Sequence, residues 1–244
     1  QWAFRAILGL RTSWMSREIL VLGAYAGLLV AAFAIRGLDW GLSGDLLPEN
    51  LQDSVVAMAP WVGVAASLVG ALGIFSSIKI YAVTGRPLWR FDRTAFRFIS
   101  TAAWAGLAAL PIAILTSSVP MASAPEPLLG ASALGLIVFT SLRLRLEAGW
   151  ARAPRLPMER TALERSPFLL DGELAPSAQR RRRVLALAGV GGPGLQLVAI
   201  SFDLFASAQL ILAVLVLCAG MFSDLIERDL FFRSEAMPSM PRVE

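Results

Sequence analysis

Six apolar runs recur along the chain, separated by short polar stretches, and each is long enough to be a membrane-crossing helix. They are Ile19–Ile35, Val55–Val83, Ala95–Val119, Leu128–Leu146, Val184–Ile200 and Ser207–Phe222. About 17–25 apolar residues cover the ~30 Å hydrocarbon core of a bilayer, so the pattern predicts an all-α, polytopic transmembrane helix bundle. In the first run, Gly23-x-x-x-Gly27 offers a small-residue face for close helix approach, although glycine is also simply frequent in membrane helices. The second has Pro60 near its start and carries Gly63, Gly70 and Gly73, which suggests tight packing. Pro111 predicts a kink in the third. The fifth contains Gly189-Val190-Gly191-Gly192-Pro193-Gly194. With no preceding strand and no Lys-Ser/Thr pair, that stretch predicts a bent or broken membrane helix, not a phosphate-cradling loop.

The polar stretches alternate in sign. The N-terminal segment with Arg5, Arg11 and Arg17 is basic, as is Thr84–Arg97, where a tight turn at Gly85-Arg86-Pro87 adjoins an arginine-rich interfacial stretch. Ala148–Arg183 is basic too and ends in an unbroken arginine run, Arg180–Arg183, of the kind that fixes topology, meets anionic lipid or docks a partner. Between them, Gly37–Ser54, Pro120–Pro127 and Ser201–Ala206 are acidic and hold neither lysine nor arginine. The positive-inside rule therefore puts the basic segments and both ends of this chain in the cytoplasm, in a bacterial inner membrane. Residues 1–18 form an interfacial amphipathic segment, 148–183 a basic cytoplasmic loop, and 223–244 a polar, partly helical tail of a single integral membrane domain. In the tail, Arg228 with Asp224 or Glu227 suggests a structural ion pair at the bundle end. The start at Gln1, without an initiator Met or a signal-peptide pattern, suggests a chain whose N-terminal part is absent.

Composition narrows the function classes. The 244 residues are 56% hydrophobic and 16% charged, too apolar for a soluble domain, and their mean hydropathy is positive at +0.64. The formal charge of +4 rests on arginines beside apolar spans, which fits membrane orientation rather than nucleic-acid binding. A single cysteine, Cys218, allows no intrachain disulfide and no chain-borne iron–sulfur cluster, which usually needs about four thiolates. The chain has no histidine, so it supports no bis-histidine haem and no histidine-ligated copper, zinc or non-haem iron.

Three stretches point to one family. WAFRAILGLRTSWMSREIL, SSIKIYAVTGRPLWRFDRTAFRF and SDLIERDLFFRSEAMPSMP occur in that order. They resemble, respectively, the segment after the second helix, the turn after the fourth and the C-terminal end of the DMSO-reductase membrane-anchor family. These are the membrane subunits of complex iron–sulfur molybdoenzymes. The resemblance implies eight spans, of which this chain holds the last six, with no haem and a quinone site (menaquinone or ubiquinone) near the interface. It also implies a four-cluster iron–sulfur subunit and a molybdopterin catalytic subunit as partners. The family's His-Leu-Gly-x-Pro segment would fall just before Gln1, so the quinone site carried here is incomplete.

On that resemblance Glu18 matches the family's glutamate beside the quinone and is a candidate proton carrier; without it, Glu18 is an acid at a helix start, paired with Arg17. Trp14 is a candidate ring wall or an ordinary interfacial tryptophan. Arg11 and Arg17 are candidates for stabilising negative charge on the quinone, docking the partner or meeting phosphates, and Tyr81 is a further donor. The family's iron–sulfur partner sits on the face bearing the Glu18-type segment, here the cytoplasmic one. That arrangement resembles the sulfite-oxidising branch, with quinone reduction; the other direction is menaquinol oxidation by a DMSO- or N-oxide-reducing complex. A transporter or a non-redox membrane scaffold are the competing classes, of which the former needs broken helices or charges at mid-membrane.

Overall fold

The computed structural model describes residues 9–39, 48–84, 89–116, 125–151, 172–202 and 204–233. The described residues are helical and contain no strand. Six helices are long and apolar enough to cross a membrane: Trp14–Leu38, Leu51–Ala82, Phe91–Leu115, Glu126–Ala148, Ala175–Ser201 and Ala206–Arg233. The predicted spans therefore all exist. Residues 1–8, the Gly85-Arg86-Pro87 turn, most of the Pro120–Pro127 loop, Asp203 and the tail beyond Arg233 lie outside the described residues. Contacts divide the chain into two compact units, Gln1–Phe98 and Ile99–Glu244.

The first unit is built on α1 (Trp14–Asp39) and α3 (Ala59–Ala82), joined through the short α2 (Glu49–Val56). The acidic loop expected over Gly37–Ser54 is thus partly helical, and Gln52 ties it back by donating from Nε2 to the Leu38 carbonyl at 3.0 Å. Ala57 and Met58 form a turn between α2 and α3, and Pro60 sits in the first turn of α3, where its missing N–H leaves no helical bond unmade. The two long helices run antiparallel, with Glu18 facing Ser77, Leu22 facing Gly73 and Tyr25 facing Gly70. Close approach falls on α3: a Cβ at Gly73 would come within 2.8 Å of a Leu22 methyl, and one at Gly70 within 3.1 Å of the Tyr25 ring. At Gly23 and Gly27 nothing lies within 4 Å, so that pair makes no helix contact among the described residues. Val30, Phe33, Trp61 and Leu68 are exposed, as expected for side chains that face lipid.

The second unit contains most of α4 (Phe91–Leu115), followed by α5 (Pro125–Ala151), α6 (Ala175–Ala186), α7 (Gly192–Ser201) and α8 (Ala206–Arg233). Trp104 is its centre, fully buried among Ala108, Leu136, Leu185, Ala188 and Val216. Its indole N–H donates to the Thr140 hydroxyl at 3.0 Å. Gly220 presses against the indole and Gly189 against Thr140, each so closely that a Cβ would overlap the neighbour. Pro111 lies buried inside α4, which continues through it.

Between α6 and α7, where the sequence predicts a bent or broken helix, lies a single π turn, Leu187–Gly191. The Gly192 N–H bonds the Leu187 carbonyl five residues back, and Pro193, which has no N–H, follows at once. The wide turn absorbs the proline's missing donor while keeping the span continuous. Two boundaries lie furthest from expectation. The fifth span begins at Ala175 and takes in the Arg180–Arg183 run, and the sixth extends to Arg233 through what was expected to be tail. In each place some of the charged residues, Arg181 in α6 and Asp224 and Glu227 in α8, have partners on neighbouring helices.

Candidate functional site

The start of α1 is fastened by its own arginine. Arg17 folds back to donate from Nε to the Leu10 carbonyl (2.8 Å) and from Nη2 to the Arg11 carbonyl (2.9 Å). Its guanidinium also lies over the Trp14 ring, 4.4 Å from the centroid. Two of its donor nitrogens are therefore committed to holding the turn at Gly9–Ser13 against the helix. Arg11 contributes its carbonyl to this lock, while its own residue is exposed.

One turn beyond Trp14, the Glu18 carboxylate accepts a hydrogen bond from the Ser77 hydroxyl of α3. The same hydroxyl lies 3.1 Å from the Gly73 carbonyl, and with one proton to give it serves the carboxylate, the stronger acceptor. Trp14 packs edge-on against Phe75 at 6.1 Å, so the α1 and α3 ends share an aromatic wall beside Glu18. Lys79 reaches over the same wall, with its ammonium 5.9 Å from the Trp14 centroid, 5.5 Å from Phe75 and 5.2 Å from Phe91. Tyr81, one turn past Ser77, packs against Trp89 (5.2 Å) and Phe98 (5.7 Å). The structure thus brings Trp14 and Glu18 together with Ser77, Phe75 and Lys79. Arg17 is turned to a structural task.

Ser77 and Lys79 were not among the residues singled out from sequence as quinone ligands. Serine in a membrane helix commonly bonds its own backbone four residues back, as Ser76 does to Leu72, which hides a serine that also reaches another helix. Lys79 did carry a signal: it is the only lysine in the chain, and it stands in the last turn of an apolar span.

The second unit holds a buried charge cluster near the end of α5. Arg143, 1% exposed, donates to Glu147 (3.2 Å), Thr101 (3.3 Å), Asp224 (2.9 Å) and Glu227 (2.6 Å). Arg181, from the arginine run, turns inward and binds both oxygens of Glu147 (2.6 and 2.9 Å) and Glu227 at 2.6 Å. Its backbone carbonyl accepts from Ser223 at 3.2 Å. The bonds shown for Asp224 and Glu227 therefore cross between helices to Arg143 and Arg181. Arg228 lies half-buried at the next position of α8. Such a network ties α4, α5, α6 and α8 together, and its polar atoms are largely consumed in doing so.

The two clusters differ in what they can do. The second sets two arginines against three carboxylates in a largely buried array. The first sets a half-buried carboxylate, held by the buried Ser77 hydroxyl, and a half-buried ammonium beside aromatic rings, which suits a flat conjugated ligand with oxygen atoms at its rim. Among the described residues no group of His, Cys, Asp or Glu is placed to hold a metal ion.

Fold and composition define the class: a multi-pass, all-α membrane protein with six helices able to span a bilayer. Compared with known proteins, the chain matches no family profile, no curated protein and no solved structure.

Proposed function

We propose that this chain is the quinone-reactive membrane anchor of a molybdopterin and iron–sulfur oxidoreductase, exchanging electrons between the quinone pool and an iron–sulfur partner subunit. The observation that carries the reading is Glu18, held by Ser77 across the α1–α3 pair beside the Trp14–Phe75 wall. It lies in the very stretch whose residues resemble the quinone side of the anchor family. The residues present fit a quinone: aromatic faces to wall the ring, and hydrogen-bonding groups to meet its oxygens.

When bound, the quinone supplies the exchange of electrons coupled to protons. Glu18 holds or releases a proton at its carboxylate, next to where a ring oxygen would be met. Ser77 fixes the orientation of that carboxylate. Trp14 and Phe75 shield the ring from water, and Arg17 holds the entry turn that presents Trp14. With no histidine and one cysteine in the chain, electrons pass onward to clusters in the partner. The basic segment at this end, cytoplasmic by the positive-inside rule, supports sulfite as the electron source and quinone reduction as the direction.

Purification in mild detergent, with metal analysis and mass spectrometry of the chains that come with it, tests the reading. Molybdenum, iron and two larger soluble subunits are expected, and Glu18→Gln in that complex is expected to lose quinone-linked turnover while assembly persists. An intact but metal-free preparation without such chains would overturn it.

A further inference from the structure

Lys79 and Glu18 bear opposite charges against one aromatic wall, and they do not pair. The ammonium has no carboxylate within 4.0 Å and makes no hydrogen bond among the described residues, although Lys79 is half-buried. Glu18 is reached through Trp14, one turn before it on α1, whose ring the lysine faces at 5.9 Å. In a low-dielectric setting such charges attract strongly and an ammonium left without an acceptor is costly, so close pairing is the expected outcome. Two restraints hold them apart. Ser77 holds the carboxylate by its own hydrogen bond, and three rings cradle the ammonium, each within the range of a cation–π contact. The result is an acceptor and an unused three-proton donor on one aromatic surface.

We infer that Lys79 is the second ligand of this site, donating to one ring oxygen of a quinone whose other oxygen, once it carries a proton, donates to the Glu18 carboxylate. The inference rests on the quinone reading above. It gives the chain a cationic donor of its own, drawn from α3, in place of Arg17, which is bonded to the Leu10 and Arg11 carbonyls. A ligand spanning the two groups needs an acceptor oxygen at one end, an oxygen that can carry a proton at the other, and a flat apolar ring between them. Quinones meet all three requirements. An anionic lipid headgroup would satisfy the ammonium alone and leave the aromatic wall and Glu18 unused.

The test uses the fact that Lys79 is the only lysine. The complex purified with its partners is titrated calorimetrically with a short-chain naphthoquinone whose ring carbons are fully substituted, so that it cannot add to amines. Acetylation of Lys79 is then followed by mass spectrometry with and without that quinone. Binding to Lys79→Met is expected to be weaker by about ten- to a hundredfold, the range for losing a charge-assisted hydrogen bond. Lys79→Arg, which keeps the charge, is expected to retain most of the affinity. In the unmodified chain the quinone is expected to slow acetylation of Lys79, a readout that does not depend on any variant folding. If the quinone binds but neither slows acetylation nor binds Lys79→Met less tightly, Lys79 is only an interfacial lysine and the inference falls while the quinone reading stands. If the unmodified complex binds no quinone at all, both fall together.

Discussion

Replacing Arg143 by Met removes the hub of the buried charge cluster and makes a prediction whose sign can be inverted. Arg143 is 1% exposed and supplies side-chain bonds to Glu147, Thr101, Asp224 and Glu227. Arg181 still binds Glu147 and Glu227 after the substitution, but Asp224, 8% exposed, has Arg143 as its hydrogen-bonding partner and loses it. Breaking a buried pair by removing one partner costs about 3–5 kcal/mol, because the remaining charge is left uncompensated. Asp224→Asn alone keeps an acceptor for Arg143 and should cost only about 1–2 kcal/mol. Introduced into Arg143→Met, the same Asp224→Asn discharges the bare carboxylate and should restore stability by about 1 kcal/mol or more. The change therefore destabilises one background and stabilises the other. Reversible unfolding in mixed detergent micelles, titrated with a denaturing detergent and followed by tryptophan emission, measures all four proteins. Additive effects, or a loss below about 1 kcal/mol for Arg143→Met, would show that Asp224 does not depend on Arg143.

Other expectations follow from the packing and the charge pattern. Gly220→Ala places a methyl into the indole of fully buried Trp104 and should cost about 1–3 kcal/mol, seen as a lower unfolding midpoint and a shifted tryptophan emission. Thr140→Val removes the acceptor of the Trp104 N–H and should cost about 1–3 kcal/mol, the price of a buried unpaired donor; an unchanged midpoint would count against that bond. Ser77→Ala, which leaves Glu18 without its cross-helix donor, should reduce quinone affinity less than Lys79→Met and leave the unfolding midpoint within about 1 kcal/mol. With Cys218 replaced by serine, single cysteines at Glu126 and Arg182 should react from opposite sides of sealed membranes, Arg182 from the cytoplasmic side; labelling from one side would refute the alternating threading.

The six spans were legible in the sequence because their signal is long and uniform, and each predicted run coincides over most of its length with a helix able to cross a membrane. Their ends were not. Hydropathy closes a span at the first cluster of charge, yet α6 begins before the arginine run and α8 passes through Asp224 and Glu227. Some of the charges inside these helices are paired with residues 34 to 84 positions away, such as Arg181 with Glu147 and Arg143 with Glu227. One-dimensional patterning has no access to such distances. Gly23-x-x-x-Gly27 failed for the complementary reason: spacing says that a face is smooth, not that a helix lies on it, and the approach occurs at Gly70 and Gly73.

The site around Glu18 shows the same division between what composition declares and what geometry assigns. Arginine beside tryptophan at a membrane boundary suggests a cation waiting for a ligand, and Arg17 has both neighbours that reading wants. Its fork, however, matches the carbonyls of the turn just before it, and bonds at 2.8 and 2.9 Å commit Nε and Nη2 to that turn. Lysine has no such fork. Lys79 carries a compact charge on a flexible stem, and no carbonyl among the described residues captures it, so the rings of Trp14, Phe75 and Phe91 hold it only by their faces. A group held that way keeps all its hydrogen-bond donors free. The residue whose chemistry is least committed to the fold is therefore the one with most to offer a ligand, and Glu18, needing only Ser77 to stay in place, is its natural counterpart.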